Sequence, residues 1–305
     1  MKWQTEVEIQ PSEQKIDYKD SLLFLGSCFA TEMGVKMSNL LFDVKVNPFG
    51  VLFNPASIYA SIKRLSQKKL FTKDDLVKCD DLYKSFYHGS DFCSFSEEEF
   101  LEKNNRLLID AASHFEKSRW MIVTFGTSWV YKHKQRDTIV SNCHKIPASN
   151  FDRFALDVPE VISLIEPLVK EFPSKEWVFT VSPVRHLKDG AHGNQLSKSR
   201  LLLAVDSIVQ RYDNSHYFPA YEVFIDQLRD YRFYASDMVH PTAEAIDYIW
   251  ERFSGAYIND NCKQRMRDAN SLAEMKNHRV LFPGSKESMR FLQKIAELEK
   301  RLGSE

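Results

Sequence analysis

The sequence contains little that would indicate a membrane protein or a nucleic-acid-binding protein. No stretch of its 305 residues approaches the about 18 consecutive apolar residues of a membrane-spanning helix, so we expect no membrane partner. The first residues are polar and lack the apolar core of a signal peptide, so we expect a cytoplasmic protein. The 41 basic and 42 acidic side chains nearly cancel, which gives no electrostatic reason to expect nucleic-acid binding.

The cysteine and histidine patterns of metal sites and disulfide frameworks are also missing. The five cysteines are odd in number, irregularly spaced and without a CxxC motif, which argues against both a disulfide framework and a zinc ribbon. No HxxxH motif occurs. The sequence therefore predicts no metal site, and in a reducing cytosol its thiols would stay free.

The apolar runs that are present are short and predict strands. They cover 22–25, 120–125 and 177–181, and the alternating Val44 and Val46 suggest a further strand. Helical patterns lie between them, as at 157–171 behind the N-cap residue Asp157. Strands that alternate with helices predict an α/β fold with a parallel, doubly wound sheet.

We interpret the chain as one domain over 1–305. Its core would cover about 20–255, with an insertion at about 66–115 that is rich in charged and aromatic residues. The charged tail at about 259–305 has apolar residues near helical spacing and predicts a helical extension. Its apolar stripe is a packing or dimer face, so one expectation is a homo-oligomer formed through the C-terminal helix.

Reactive side chains collect where the predicted strands end. In parallel sheets the carboxyl ends of the strands meet at one edge, where ligands bind, so residues distant in sequence become neighbours there. The residues in question are Ser27 and Cys28, Thr127 and Ser128, Arg185 and His186, and the later pair Asp237 and His240.

Cys28, His240 and Asp237 form a candidate catalytic set. A nucleophile needs a base, and the base needs an orienting group. Asp237 and His240 are three residues apart, so the carboxylate can hold one imidazole nitrogen while the other faces the nucleophile. The N-terminus of the following helix, or His240, would lower the pKa of the Cys28 thiol. The alternative is an inert, buried cysteine, since cysteine is among the most buried residue types.

A series of short motifs over about 20–255 resembles the GSCFA family within the SGNH (GDSL-type) hydrolase superfamily. The motifs are, in order, FLGSCFA, NPFGVLFNP, TFGTSWVY, NCHK, SPVRH, NQLSKS and DMVHP. The resemblance implies a three-layer α/β/α sandwich with a mainly parallel central sheet. It also implies an enzyme that cleaves esters, often removing acyl groups from lipids or carbohydrates, without a cofactor.

The resemblance also implies roles for single residues. Cys28 takes the nucleophile position, where the superfamily has the serine of GDS, and Asp237 and His240 are the acid and base. Gly50 would donate its backbone N–H to the oxyanion. Ser128 stands where the superfamily has an asparagine donor, and losing one such donor costs on the order of a hundred- to a thousandfold in turnover.

Other residues have alternative interpretations. Asn54 or Asn142 would replace the missing asparagine donor. Ser27 is an alternative nucleophile, although capping the following helix is the interpretation we favour. His144 either binds substrate or belongs to a solvated loop.

Arg185 and His186 stand at a strand end, where a carboxylate or phosphate group of the substrate would meet them. The alternative is an internal salt bridge.

The combined expectation is an acyl-ester hydrolase or acyltransferase. Its substrate would be a small-molecule or carbohydrate acyl ester, and a cysteine nucleophile suits acyl transfer as well as hydrolysis. The competing hypothesis is a non-catalytic SGNH-like module that keeps a ligand pocket.

Overall fold

A five-stranded sheet, in which every neighbouring pair of strands is parallel, lies at the centre of the protein. The structure is a computed structural model that describes residues 5–278, 282 and 284–303. The strands, numbered along the chain, are β1 Ser21–Gly26, β2 Asp43–Val46, β3 Leu76–Cys79, β4 Leu82–Ser85, β5 Ser118–Phe125, β6 Trp129–His133, β7 Thr138–Val140, β8 Phe151–Ala155, β9 Glu176–Val181 and β10 Ser215–Tyr217. The order in the central sheet is β10-β9-β5-β1-β2.

Helices cover both faces of this sheet. They are α1 Cys28–Asn39, α2 Pro55–Ser66, α3 Glu97–Lys117, α4 Val158–Glu171, α5 Gly190–Val209, α6 Ala220–Glu222, α7 Ala243–Tyr257, α8 Lys263–Asn277 and α9 Lys286–Gly303. A π-helical turn at Val223–Leu228 continues α6. The predicted α/β fold with a parallel sheet in a three-layer sandwich is confirmed.

Alternation of side chains along each strand divides the core into two layers. Leu23, Leu25 and Phe179 pack against α2, α3, α4 and α5, whereas Phe24 and Val178 pack against α1, α7 and α8. All five side chains are fully buried. A strand that is buried on both faces needs a continuous apolar run, and this is the pattern that predicted β1, β5 and β9.

The region expected as an insertion at about 66–115 has two parts. Its first part includes the antiparallel hairpin β3–β4. Its second part lies in α3, which packs Leu108 and Phe115 against the central sheet. The α3 part therefore belongs to the helical layer of the core, because α3 is the crossover between β2 and β5.

A second, antiparallel sheet is formed by β7, β6 and β8. The residues 129–131 and 138–140, on either side of a polar turn at 135–137, predict the β6–β7 hairpin that the structure contains, whereas no sequence pattern indicates β8. Asp152 and Arg153 interrupt the apolar alternation of β8, and both are exposed.

The apolar spacing over 31–42 predicts a helix from Thr31, and the glycine-bearing stretch 187–193 predicts a loop before a helix from about Ser197. Both helices start earlier in the structure, α1 at Cys28 and α5 at Gly190. The glycines of the first turn of α5 indicated a loop, but helix propensity is a weak signal that tertiary contacts override.

The tail forms the helical extension that the sequence predicts. α9 packs on α8 through ion pairs between Lys276 and Glu299 and between Arg301 and Asp268. Met289 of α9 is exposed. The homo-oligomer through this helix stays a prediction.

Among the described residues, no helix has the length and apolar character to cross a bilayer.

Candidate functional site at the carboxyl edge of the sheet

The strand order changes direction at β1, and this places a crevice beside Cys28. From β1 the chain moves to β2 on one side and then to β5, β9 and β10 on the other. In open parallel sheets the ligand crevice lies outside the carboxyl ends of the strands at such a switch point. Cys28 directly follows β1, so it stands at this position.

The turn between β1 and α1 depends on Gly26. Its φ is +135°, and an added Cβ would stand far inside contact distance of the Thr124 carbonyl oxygen on β5. Only glycine adopts this conformation at this distance from a neighbouring strand. The Gly26 N–H donates to Asn47 Oδ1 at 2.8 Å, and Asn47 Nδ2 donates to Thr31 Oγ1 of α1 at 2.9 Å. Asn47, which the sequence analysis missed, thus links the strand end to the first turn of the helix.

Cys28 occupies the first position of α1 and is half-buried. The N–H groups of Cys28 and Phe29 have no other acceptor in the described part of the chain, and both lie close enough to the sulfur to favour the thiolate. Burial nevertheless raises the pKa of the Cys28 thiol above its ordinary value. This direction is opposite to the expected one, because desolvation of the charged form outweighs the N–H groups and the positive charge of Lys198, while the negative charge of Glu32 raises the pKa further.

Cys28 and His240 line the same cavity, which has a volume of about 280 Å³. Its walls come from the first turn of α1, the segment after β9 and the start of α7, with Glu32, Val184 and Ile246 among the lining residues. Two larger clefts, of about 520 and 670 Å³, lie where the central strands begin, beside Asp43 and Ser215 respectively. We favour the smaller cavity as the site because it alone of the three contains the candidate nucleophile and base.

The loop before α7 holds Asp237 and His240 together. His240 Nδ1 lies 2.6 Å from Asp237 Oδ2, while the N–H groups of Val239 and His240 donate to Oδ1 at 2.9 and 3.0 Å. These hydrogen bonds, first of all that from the His240 N–H, lower the pKa of Asp237 to about 2. An ionised carboxylate only accepts, so Nδ1 carries the proton and Nε2 is left as the basic nitrogen.

Lys198 of α5 is the main site residue that the sequence analysis missed. It is fully buried, and its Nζ donates at 2.7 Å to the carbonyl oxygens of Gly126 and Ser182, which follow β5 and β9. Its charge favours the Cys28 thiolate, while burial lowers the pKa of Lys198 to about 7. The NQLSKS motif contains it, but a lysine in a helix is nearly always exposed, so the motif alone suggested no role.

Ser128 is engaged in a buried hydroxyl network. Its N–H donates to Ser197 Oγ at 2.8 Å, its hydroxyl donates to the same atom at 3.2 Å, and Thr127 Oγ1 lies 3.0 Å from it. Ser128 is fully buried. Its proposed role as an oxyanion donor stays a prediction, and in this structure its donors are engaged with Ser197.

Gly50 and Asn54 are also engaged in local structure. The Gly50 N–H donates to the Asn47 carbonyl oxygen at 2.8 Å, so it is not free for an oxyanion in this conformation. Asn54 Oδ1 accepts from the Ser57 N–H at 2.8 Å and caps α2. The oxyanion role of Gly50 and the donor role of Asn54 stay predictions. The N–H groups of Cys28 and Phe29, in contrast, are not engaged by another acceptor within the described residues.

Asn142 and His144 lie against the hairpin β3–β4. His144 Nε2 lies 2.8 Å from the Ser85 carbonyl oxygen, and Asn142 donates to Ser90 Oγ at 2.9 Å. His144 is buried and stacks on Phe86. The structure does not bring either residue to the Cys28 cavity, and the solvated-loop interpretation of His144 is wrong because its ring is enclosed.

Ser27 is the N-cap residue of α1, as favoured, but only through its backbone. Its carbonyl oxygen accepts from the Ala30 N–H at 2.9 Å, whereas its side chain makes no capping hydrogen bond. The hydroxyl is buried without a hydrogen-bond partner among the described residues. The expected side-chain cap is therefore not present, and the role of Ser27 as alternative nucleophile stays a prediction.

Arg185 and His186 follow β9 as expected. No hydrogen bond or ion pair joins Arg185 to another residue that the structure describes, so the alternative of an internal salt bridge is not observed. Burial lowers the pKa of His186 to about 4, so its imidazole is neutral at pH 7. The His186 ring packs against Phe53, with ring centroids 5.7 Å apart.

No group of three or more histidine, cysteine, aspartate or glutamate side chains in the described part of the chain is arranged to hold a metal ion. The cavity itself is lined by the Cys28 thiol and the His240 imidazole, and the Cys28 and Phe29 N–H groups lie near the sulfur.

Comparison with known proteins identifies the family of the chain. No curated protein sequence matches the chain. The model of the GSCFA family matches residues 21–253, from the first residue of β1 to the third turn of α7. Because the match covers most of the sequence and includes Cys28, Asp237 and His240, the chain belongs to the GSCFA family.

Proposed function

We propose that the protein is an acyl-ester hydrolase or acyltransferase of the SGNH type, with Cys28 as nucleophile and His240 as general base. One observation carries the proposal: Cys28 lines the same cavity as His240, and His240 is held by Asp237 at 2.6 Å. These are the three roles that nucleophilic acyl transfer requires.

The raised pKa of the Cys28 thiol determines how the nucleophile is activated. At neutral pH the thiol keeps its proton, so the proton must leave during the attack. Sγ would bond to the acyl carbon while His240 Nε2 takes the thiol proton. The ester C–O bond would then break, and His240 would return that proton to the leaving oxygen.

The second half of the reaction regenerates the thiol. Water, or an acceptor hydroxyl, would attack the Cys28 thioester while His240 Nε2 takes its proton. The C–S bond would break and the sulfur would regain the proton from His240. The N–H groups of Cys28 and Phe29 would hold the oxyanion in both halves, aided by the positive charge of Lys198.

The size of the cavity supports a small acyl group. A volume of about 280 Å³ lies at the lower end of ligand sites. A carbohydrate or other carrier of the acyl group would then remain outside the cavity.

We also propose that the protein acts in the cytoplasm.

A non-catalytic ligand-binding module is the second candidate. It is favoured by the raised pKa of Cys28 and by the engagement of Gly50 and Ser128 in local hydrogen bonds. Such a module would bind in the same cavity without forming a covalent intermediate.

Trapping of the acyl-enzyme separates the two functions. The protein would be incubated with p-nitrophenyl acetate and acetyl thioesters, and the mass of the peptide that contains Cys28 would be measured. We expect an acetyl adduct on Cys28 in the wild type and its loss in His240→Ala. His216→Ala serves as control, because His216 lies where β10 begins. An adduct that forms equally in all three proteins would contradict the catalytic assignment.

A further inference from the structure

We propose that Arg185 binds a carboxylate or phosphate group of the ligand that enters the Cys28 cavity. The natural substrate would then be an anionic acyl ester or thioester. The ester or thioester part of this inference rests on the proposed function, whereas the anion-binding part does not.

The Arg185 guanidinium has no hydrogen-bond or ion-pair partner among the described residues. Arg185 Nε is buried and has no acceptor, and no ion pair or hydrogen bond of this side chain occurs within the described ranges. A guanidinium offers five N–H donors, and a charged group that loses water without gaining a partner is costly. Arg185 as a whole is half-buried, and its buried Nε–H is the donor that an incoming acceptor would satisfy.

Other arginines of the structure, in contrast, are paired with carboxylates. Arg64 is buried and pairs with Asp75 at 3.0 Å. Arg153, which packs over the Trp129 ring, pairs with Asp189. Asp189 lies in the turn that follows Arg185, so the nearby carboxylate of this segment already has its partner.

Arg185 stands next to the cavity wall, because Val184, directly before it, lines the cavity with Cys28. The charge of Arg185 acts on Lys198, and the charge of Lys198 acts on Cys28, so the three groups share the carboxyl edge of the sheet. An oxyanion at Arg185 would lie near two cationic groups.

The acidic groups of the site lie elsewhere. Asp237 is engaged by His240, and Glu32 lines the cavity from α1, one turn beyond Cys28. An anionic ligand would be repelled from the Glu32 wall and attracted towards Arg185. A neutral ligand would leave the guanidinium unpaired, so the arrangement favours an anionic one.

The test uses alkylating probes with tails of different length. Wild type and Arg185→Gln would react with iodoacetamides whose amide nitrogen carries glycine, β-alanine, γ-aminobutyrate or aminomethylphosphonate. Each probe has a neutral partner, a carboxamide or a phosphonate diester. The rate at Cys28 would be measured by peptide mass spectrometry.

We expect at least one anionic probe to react about tenfold faster with wild type than its neutral partner does, since hydrogen bonds to charged groups are among the stronger ones. This preference should disappear in Arg185→Gln, persist in part in Arg185→Lys, and be unchanged in Arg106→Gln, whose arginine is exposed on α3. The preferred head group would distinguish a carboxylate from a phosphate ligand. Equal ratios in wild type and Arg185→Gln for every tail would overturn the inference.

A second measurement does not depend on the reactivity of Cys28. At constant ionic strength, succinate or inorganic phosphate in place of chloride should raise the Tm of wild type but not that of Arg185→Gln. An equal shift in both proteins would also overturn the inference. Neither measurement needs catalytic turnover. If Arg185 recognises anions but no acyl-enzyme forms, the proposed function is refuted and the anion-binding inference stands.

Discussion

Lys198 Nζ donates to the carbonyl oxygen of Gly126 over 2.7 Å, and this bond fixes a fully buried ammonium group where β5 ends. An equal bond to Ser182 reaches the segment after β9, so a single side chain joins two strand ends. Its charge favours the thiolate of Cys28 across the sheet edge. Lys198 therefore belongs to the site although α5 and α1 cover opposite faces of the sheet.

Lys198→Met should raise the pKa of the Cys28 thiol further. The substitution removes a nearby positive charge and leaves burial of the thiol in place. Each unit of increase lowers the thiolate fraction, and with it the alkylation rate at neutral pH, about tenfold. The measurement is the pH profile of iodoacetamide alkylation at Cys28. Lys170→Met, an exposed position on α4, is the control, and coincident profiles for the wild type and both variants would contradict the prediction.

The same lysine should make stability depend on pH. Its pKa is about 7 in the folded protein and about 10.4 in an unfolded chain, so between these values the unfolded state binds more protons. The free energy of unfolding then rises with pH, by up to about 1.4 kcal/mol per pH unit, and the contribution is constant below the folded pKa.

Urea unfolding of wild type and Lys198→Met at pH 7 and pH 9 tests this dependence. The difference in free energy of unfolding should change in favour of wild type as the pH rises. A difference that is the same at both pH values would show that Lys198 does not titrate in this range.

Asp237→Asn should disable His240 as a base without removing it. The carboxylate accepts hydrogen bonds from the His240 ring and from two backbone N–H groups, and an amide cannot reproduce all of them. Formation of the acyl adduct on Cys28 should fall on the order of a hundred- to ten-thousandfold. The measurement is the rate of acetyl transfer from p-nitrophenyl acetate. Asp226→Asn, which removes an exposed carboxylate, should react at the wild-type rate.

Much of the fold could be predicted because its signals are local. The continuous apolar runs of β1, β5 and β9 indicated strands buried on both faces, and Asp157 caps α4 as expected. The spacing of Asp237 and His240 is also local, and the structure brings their side chains into contact.

The remainder of the site depends on contacts that no local pattern contains. The buried ammonium of Lys198 is stabilised by hydrogen bonds to two carbonyl oxygens from different strand ends. The position of this lysine in the sequence of α5 gives no sign of these contacts. Whether the Gly50 N–H is free depends on the turn that Asn47 closes. The direction of the pKa shift at Cys28 depends on how much burial offsets the helix N–H groups. These contacts, and the burial that sets the pKa of Cys28, exist only in the folded structure and cannot be read from a local sequence pattern.

Gly26→Ala should be strongly destabilising. The positive φ costs about 1–3 kcal/mol for a residue with a Cβ, and the clash with the Thr124 carbonyl oxygen adds to this. The expected loss in free energy of unfolding is about 3 kcal/mol or more. Gly255→Ala in α7 is the matched control, because an added Cβ there meets no atom within 4 Å in the described part of the structure. It should stabilise the protein by about 0.5–1 kcal/mol, and equal effects at both positions would contradict this account.

Ser197→Ala should destabilise the protein by about 1–3 kcal/mol, because it leaves the buried Ser128 N–H without its acceptor. Ser199→Ala, two residues along α5, removes a hydroxyl that donates only to the Gln195 carbonyl oxygen, and it should change stability by less than about 0.5 kcal/mol. Urea unfolding of the two variants gives the comparison. If stability falls in Ser197→Ala while the pH profile of Cys28 alkylation stays unchanged, Ser197 stabilises the strand end without affecting the thiol. The effect on the thiol then belongs to Lys198, the next residue of α5. A fall in stability that is equal in the two serine variants would show that the Ser128 N–H finds water instead.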